Sequence, residues 1–284
     1  MYFLVIVFFL IFIFLPDTVY AWGPAAHLEF GRDILNNIKF LPASLQELLL
    51  TFPYDYLYGN ISADIVVGKN LTETLKHCHN WNIGLKVLKS ARTDPQKAFA
   101  YGYISHLAAD TIAHNYYIPE KFLQSFHSRI LKHTYWEMRF DTLVDKSVWK
   151  LPAKMSKEVH RDNDKLLKNI LEDTPLSFRT NKTIFSSIIL IHRINQWQNM
   201  LEMLSLSSRW VLSIEERKQY YNRSLAAIKD FLVNGSKAKC FRDDPTGRAR
   251  LDTAKRLRSH LKTLKRSGKD WEDAMEKALR IVRR

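Results

Sequence analysis

The segment Ala100-Tyr-Gly-Tyr-Ile-Ser-His-Leu-Ala-Ala-Asp-Thr-Ile-Ala-His-Asn115 constrains this chain more than any other. Ile104, Leu107, Ala108, Ala109, Ile112 and Ala113 make it apolar on almost every face, so it reads as a helix buried nearly all round. Yet His106, Asp110 and His114 stand in it at i, i+4 and i+8. Each step of four returns a helix to nearly the same face and rises about 6 Å, so the three side chains share one stripe. His106 and His114 are then about 12 Å apart, too far for both to ligate one ion at about 2 Å. The stripe therefore suits two or more metal ions, with Asp110 between them able to bridge. An unpaired carboxylate would be costly to bury in such a helix, and ligation removes that cost.

Helical spacing runs through the rest of the chain, and no segment shows the strict alternation of a half-buried strand. Leu28, Ile34, Leu35 and Ile38 mark a first helix, and a short one is expected around Leu45 to Leu50. Thr51 to Lys69, with Pro53, Gly59 and several aromatics, reads as irregular. Helices are expected over Thr72 to Ala91, Pro95 to Asn115, Pro119 to Trp149, Lys154 to Leu171, Ile184 to Leu206, Ile214 to Val233, Arg248 to Lys265 and Trp271 to Val282. Pro175, Asn234-Gly235 and Pro245-Thr246-Gly247 are breaks. The expected fold is all-α, a multi-helix bundle without repeats or low-complexity tracts. Residues 22–150 hold the histidine-rich part, and residues 151–284 form a helical, basic part expected to complete the same domain.

The first twenty-one residues stand apart. Tyr2 to Leu15 are almost wholly apolar, Pro16-Asp17 breaks the run, and Val19-Tyr20-Ala21 supplies small residues where a signal peptidase reads. This is the pattern of a secretory signal cleaved after Ala21, although no Lys or Arg precedes the apolar run, so an uncleaved anchor stays open. The mature chain would begin at Trp22 in a secreted or periplasmic protein. Cys78 and Cys240 are too few for a disulfide framework, and they are either one pair or two separate buried thiols. Asn60, Asn70, Asn181, Asn222 and Asn234 begin Asn-x-Ser/Thr triplets.

Four further places offer ligands. His133 and Glu137 are again i and i+4 and can chelate one ion from one helix face. Trp22-Gly-Pro-Ala-Ala-His27 would become the new N-terminus, where a free amine and the first carbonyl can bind zinc with His27 joining. Asp64 follows Gly59-Asn-Ile-Ser-Ala, and His77-Cys-His79-Asn-Trp81 offers two imidazoles and a thiol. His77 and His79 point to different sides of a helix, so one of them is a ligand; oxygen and nitrogen donors in the rest of the set argue against Cys78.

The order Trp, His, Asp, His, His-x-x-x-Asp, His, His-x-x-x-Glu resembles the zinc-dependent phospholipase C family, related in fold to the single-strand-specific zinc nucleases. The resemblance spans Trp22 to about Asp141 and implies a helical fold with up to three zinc ions. By position, Asp64, His79, His106 and Asp110 would hold one zinc; His114, His133 and Glu137 a second; and the Trp22 amine and carbonyl, His27 and Asp110 a third. His79 is preferred to His77 because Asn80-Trp81 matches the family's aromatic position. Only three residues separate Asp110 from His114, where the secreted bacterial enzymes and the nucleases have five. That spacing is closer to the N-terminal domain of glycosylphosphatidylinositol-specific phospholipase D, so C-type and D-type cleavage both stay open. The implied activity is hydrolysis of a phosphodiester by a zinc-activated hydroxide, with Asp64 orienting it or taking a proton. Phospholipid is the expected substrate; a nuclease or 3′-nucleotidase, and a non-catalytic zinc-binding protein on the same scaffold, are the alternatives.

The net charge is +14, and much of it lies late in the chain: Lys237 to Arg284 carries sixteen Lys or Arg against seven Asp or Glu. Such a region attracts phosphates, on an anionic membrane surface or on nucleic acid, or is simply a solvated face. The processing site and the metal site are linked in one testable way. N-terminal sequencing of the exported protein should begin at Trp22, and a mature chain extended by one Met should bind one zinc fewer. Equal zinc content in the two forms, by metal analysis, would count against a role for the Trp22 amine.

Overall fold

Thr93 starts the helix around which the others pack. Its hydroxyl accepts from the Gln96 amide, and the Gln96 side chain accepts from the Thr93 amide in return, with a proline in the first turn. The computed structural model describes residues 22–66, 78–126, 133–155, 157–171, 177–192 and 210–283. In chain order its helices are α1 (Pro24–Asn36), α2 (Ala43–Thr51), α3 (Pro53–Ser62), α4 (Trp81–Ser90), α5 (Asp94–Ile112), α6 (Ile118–Gln124), α7 (His133–Asp141), α8 (Leu151–Lys154), α9 (Lys157–Lys168), α10 (Phe178–His192), α11 (Ile214–Asn234), α12 (Arg248–Arg266) and α13 (Glu272–Arg283). The fold is all-α, and the described residues contain no strand.

Helix α5 is the axis. It is buried from Gly102 through Ile112 without interruption and touches α1, α2, α3, α4, α9 and α11. Its tightest partner is α3. A Cβ on Gly59 would lie 2.0 Å from the Phe99 carbonyl oxygen, and one on Gly102 would lie 2.0 Å from that of Tyr56. Two glycines facing each other thus let the two backbones meet, which brings the α3 main chain within reach of α5 side chains.

The second half of the chain wraps the same axis. Helix α11 lies along α5, and α12 and α13 pack on α6. Buried charges pin these contacts. Glu120 on α6 accepts from Tyr220 at 2.6 Å and Arg283 at 2.7 Å, and Lys121 donates to Glu216 at 2.7 Å. Lys121 is itself only 1% exposed, its ammonium lying over the Trp136 ring 5.2 Å from the centroid.

Several elements depart from the expectations. Of the stretch Thr51 to Lys69, the described residues, which end at Val66, are not irregular: they hold α3 and a buried 3-10 turn, Ala63–Ile65. Pro53 sits at the start of a helix, where its missing N–H costs nothing, and Gly59 serves close packing and not a turn. The expected Pro119 to Trp149 helix is broken into α6, α7 and a 3-10 turn at Val148–Lys150. Among the described residues the helix expected from Thr72 begins only at Trp81, where the Asn80 side chain caps it by accepting from Asn82 N at 2.8 Å. Helix α10 starts at Phe178, six residues before Ile184. Cys78 and Cys240 are separate buried thiols. Asn60 and Asn181 are buried, whereas Asn222 and Asn234 are exposed. The expected signal segment, His77 and Asn70 lie outside the described residues. No helix among the described residues is long and apolar enough to cross a membrane.

One carboxylate couples α7 to α1. Asp141, fully buried at the end of α7, accepts from the Ala25 and Ala26 amides in the first turn of α1 at 3.3 and 3.0 Å. Burial pushes its carboxyl up to about 7, against the pull of the Ala26 and Ala25 amides. Replacing it with Ala orphans both amides and should cost about 1–2 kcal/mol of stability. Asn retains an acceptor and should cost less. Urea unfolding of the two variants checks this, and equal losses would discount the cap.

Candidate metal centre

The site begins where α3 meets α5. His106 Nδ1 donates to the Asn60 carbonyl at 2.8 Å, which fixes the proton on Nδ1 and leaves Nε2 as a lone-pair donor. That Nε2 stands 3.0 Å from His79 Nε2 and 3.2 Å from Asp110 Oδ2. His79 Nε2 lies 3.2 Å from Asp64 Oδ1 and 3.2 Å from Asp110 Oδ2. The other Asp110 oxygen, Oδ1, is 3.3 Å from His27 Nε2. The His27 ring stacks on His106, centroids 3.7 Å apart and 12° from parallel.

Two ligand sets follow: Asp64, His79 and His106, and His27, His106 and Asp110, each with one donor atom per residue within 4.8 Å of the others. Asp110 serves both sides, one oxygen toward His27 and the other toward His79 and His106. His27 Nε2 and both Asp110 oxygens are buried without an aligned hydrogen bond. Polar atoms this close that make no aligned bond are what a shared cation would satisfy. Buried imidazoles and carboxylates are the donor set that suits zinc, so the residues fit the ion.

A further group of expected ligands, outside those two close sets, lies one turn along. His114 and His133 meet edge to face with centroids 5.1 Å apart, and His133 Nε2 is 3.3 Å from Glu137 Oε1. All three are buried. His114 stands in a π-turn, Ala113–Tyr117, that continues α5 into α6. Trp22 reaches the same end of α5: its indole donates to the Ala109 carbonyl at 3.0 Å, and its ring stacks on Tyr117. Cys78 Sγ lies 3.3 Å from His79 Nδ1, on the side of the ring away from the cluster. The structure thus brings His27, Asp64, His79, His106 and Asp110 together, and places His133 between His114, which its ring meets, and Glu137.

Several residues that hold this arrangement have no role in the site that the sequence suggests. Tyr103 donates to the Cys78 carbonyl at 2.6 Å and so fixes the backbone just before His79. The Asn60 and Pro245 carbonyls orient His106 and His114. Backbone acceptors carry no side-chain signal in a sequence. Asp141 does carry one, since it continues the His133 and Glu137 stripe by another four residues.

Burial drives the His27 imidazole down to about 4, with His106 adding to the shift. Burial alone would raise the Asp110 carboxyl, but the His106, His27 and His79 imidazoles outweigh it and hold it well below the usual range.

The sequence model described as zinc dependent phospholipase C matches residues 26–184. That stretch contains His27, Asp64, His79, His106, Asp110, His114, His133 and Glu137. Comparison with curated proteins and with solved structures gives no match.

The histidine shift predicts an acid limit. In the unfolded chain His27 protonates below about 6.5, whereas in the fold it resists until about 4. Stability present above 6.5 is therefore lost as pH falls toward 4, about 3 kcal/mol for this residue. The depressed Asp110 adds loss only below the ordinary carboxylate range. Urea unfolding of metal-free protein across this window should show a shallower slope for His27→Ala. Identical slopes would reject the assignment.

Proposed function

The chain belongs to the zinc-dependent phospholipase C family, and on that footing we propose that it is an exported phosphodiesterase that hydrolyses phospholipids. The observation that carries this reading is the placement of Asp110, one oxygen toward His27 and the other toward His79 and His106. A buried carboxylate split between two imidazole groups is the arrangement that holds two cations close together. Up to three zinc ions are proposed. Asp64, His79, His106 and Asp110 would hold the first; His114, His133 and Glu137 the second; and His27, Asp110 and the Trp22 amine and carbonyl, freed by cleavage after Ala21, the third.

Bound zinc would supply a water of lowered pKa and would neutralise the charge of a phosphate ester. The protein's own share is positional. His106 is locked in the tautomer that presents Nε2, by the Asn60 carbonyl. Asp64, held in a buried 3-10 turn 3.2 Å from His79, is the group proposed to orient the attacking water and take its proton. The water adds to phosphorus, the P–O bond to the leaving alcohol breaks, and that alcohol takes up a proton. The basic region from Lys237 onward is proposed to meet an anionic membrane surface, since α12 bears Arg248, Arg250, Lys255, Arg256, Arg258, Lys262, Lys265 and Arg266 against the single acid Asp252.

Mature protein loaded with zinc should release a headgroup from phosphatidylcholine or phosphatidylinositol, and the product identifies C-type or D-type cleavage. Asp64→Asn should lower the rate by about 100-fold or more. Cleavage of single-stranded DNA alone would move the protein to the nucleases. Silence on lipid and DNA by a zinc-replete protein would make it a non-catalytic zinc binder.

A further inference from the structure

Three successive backbone carbonyls, those of Asp243, Asp244 and Pro245, each accept from a side chain of the metal-bearing half. Trp81 Nε1 donates to Asp243 O at 2.9 Å, Asn115 Nδ2 to Asp244 O at 2.9 Å, and His114 Nδ1 to Pro245 O. Asn115 also donates to the Thr111 carbonyl at 2.8 Å, so it ties the π-turn to this row.

The turn is built to hold that row in place. The Asp244 carboxylate accepts from Thr246 N at 3.0 Å and from the Thr246 hydroxyl, and the Gly247 amide donates to Asp244 O at 2.8 Å. Pro245, Thr246 and Gly247 are buried. Gly247 has φ +56°, and a Cβ there would lie 2.4 Å from His114 Cβ and 2.5 Å from its carbonyl oxygen. Glycine is thus required twice, by the left-handed backbone and by the close approach. All five residues lie beyond residue 184, where the family match ends.

We infer that the Asp243–Gly247 turn is a positioning element for the metal ion of His114, His133 and Glu137. The inference rests on the zinc reading of that site. A carbonyl can only accept, so Pro245 fixes the His114 proton on Nδ1 and leaves Nε2 as the lone-pair donor of a ring that meets His133 edge to face. The second half of the chain, which contributes none of the expected ligands, thereby sets the geometry of one of the three sites.

Two substitutions test this. Asn115→Leu removes the hold on Asp244 O, and Gly247→Ala pushes the turn away from His114. Zinc per chain is measured by metal analysis after equilibration with a graded chelator, and the visible spectrum of the cobalt-substituted protein is recorded. One ion should weaken by about 10–100-fold, with the others unchanged and one component of the cobalt spectrum altered. Unchanged affinity in folded variants, or equal weakening of every ion, would overturn the inference. If Gly247→Ala does not fold, as judged by its helical circular dichroism, Asn115→Leu carries the test alone. Wild-type protein that binds no zinc would instead sink the functional reading on which this rests.

Discussion

A charge buried in the middle of an apolar helix sets the terms for the rest of this molecule. Asp110 is fully enclosed on α5. An isolated carboxylate in such a place carries a desolvation penalty of several kcal/mol. It is met by His106 from its own helix, His27 from α1 and His79 from the turn before α4. Each of those imidazoles must in turn be held. The Gly59–Gly102 crossing brings Asn60 to His106, Tyr103 fixes the backbone before His79, and Asp141 seats the first turn of α1. Helix packing and site chemistry are therefore one problem here, because the contacts that bury α5 also deliver its compensating groups.

Much of this was legible before the structure. The i, i+4, i+8 spacing of His106, Asp110 and His114 gives the face, the rise per residue separates the outer two, and the structure assigns them to different neighbourhoods. The all-helical class followed from periodicity, and most helices in the second half begin and end within a few residues of expectation. What was not legible shares a physical cause. Pro53 and Gly59 read as loop formers, but the first is a helix start and the second a close contact with Phe99, a residue 40 positions away. The acceptors for His106 and His114 are main-chain carbonyls, identical at every residue and so invisible in a sequence. The division of Asp110 between its two sides depends on a side-chain orientation that spacing alone does not fix.

The two halves of the chain differ in what they contribute. Residues 22–141 supply every expected ligand, and residues after 210 supply supports: Glu216 for Lys121, Tyr220 and Arg283 for Glu120, and the carbonyl row for Trp81, Asn115 and His114. Helix α6, which carries Glu120 and Lys121, runs directly on from the π-turn that holds His114. The same buried charges that fasten the C-terminal helices therefore also hold the helix that continues from the His114 turn.

The contact between His114 and Pro245 spans 131 residues. A nascent chain emerges from the ribosome N-terminal end first, at roughly 5–20 residues per second. Helix α5, which bears His106 and Asp110, is thus available to pack while the partner of His114 is still being synthesised. For that interval, on the order of ten seconds, the growing polypeptide has the groups of its first cluster but not the backbone brace of His114. Assembly of the centre is in this sense sequential, and its final part waits on translation of the turn that leads into α12.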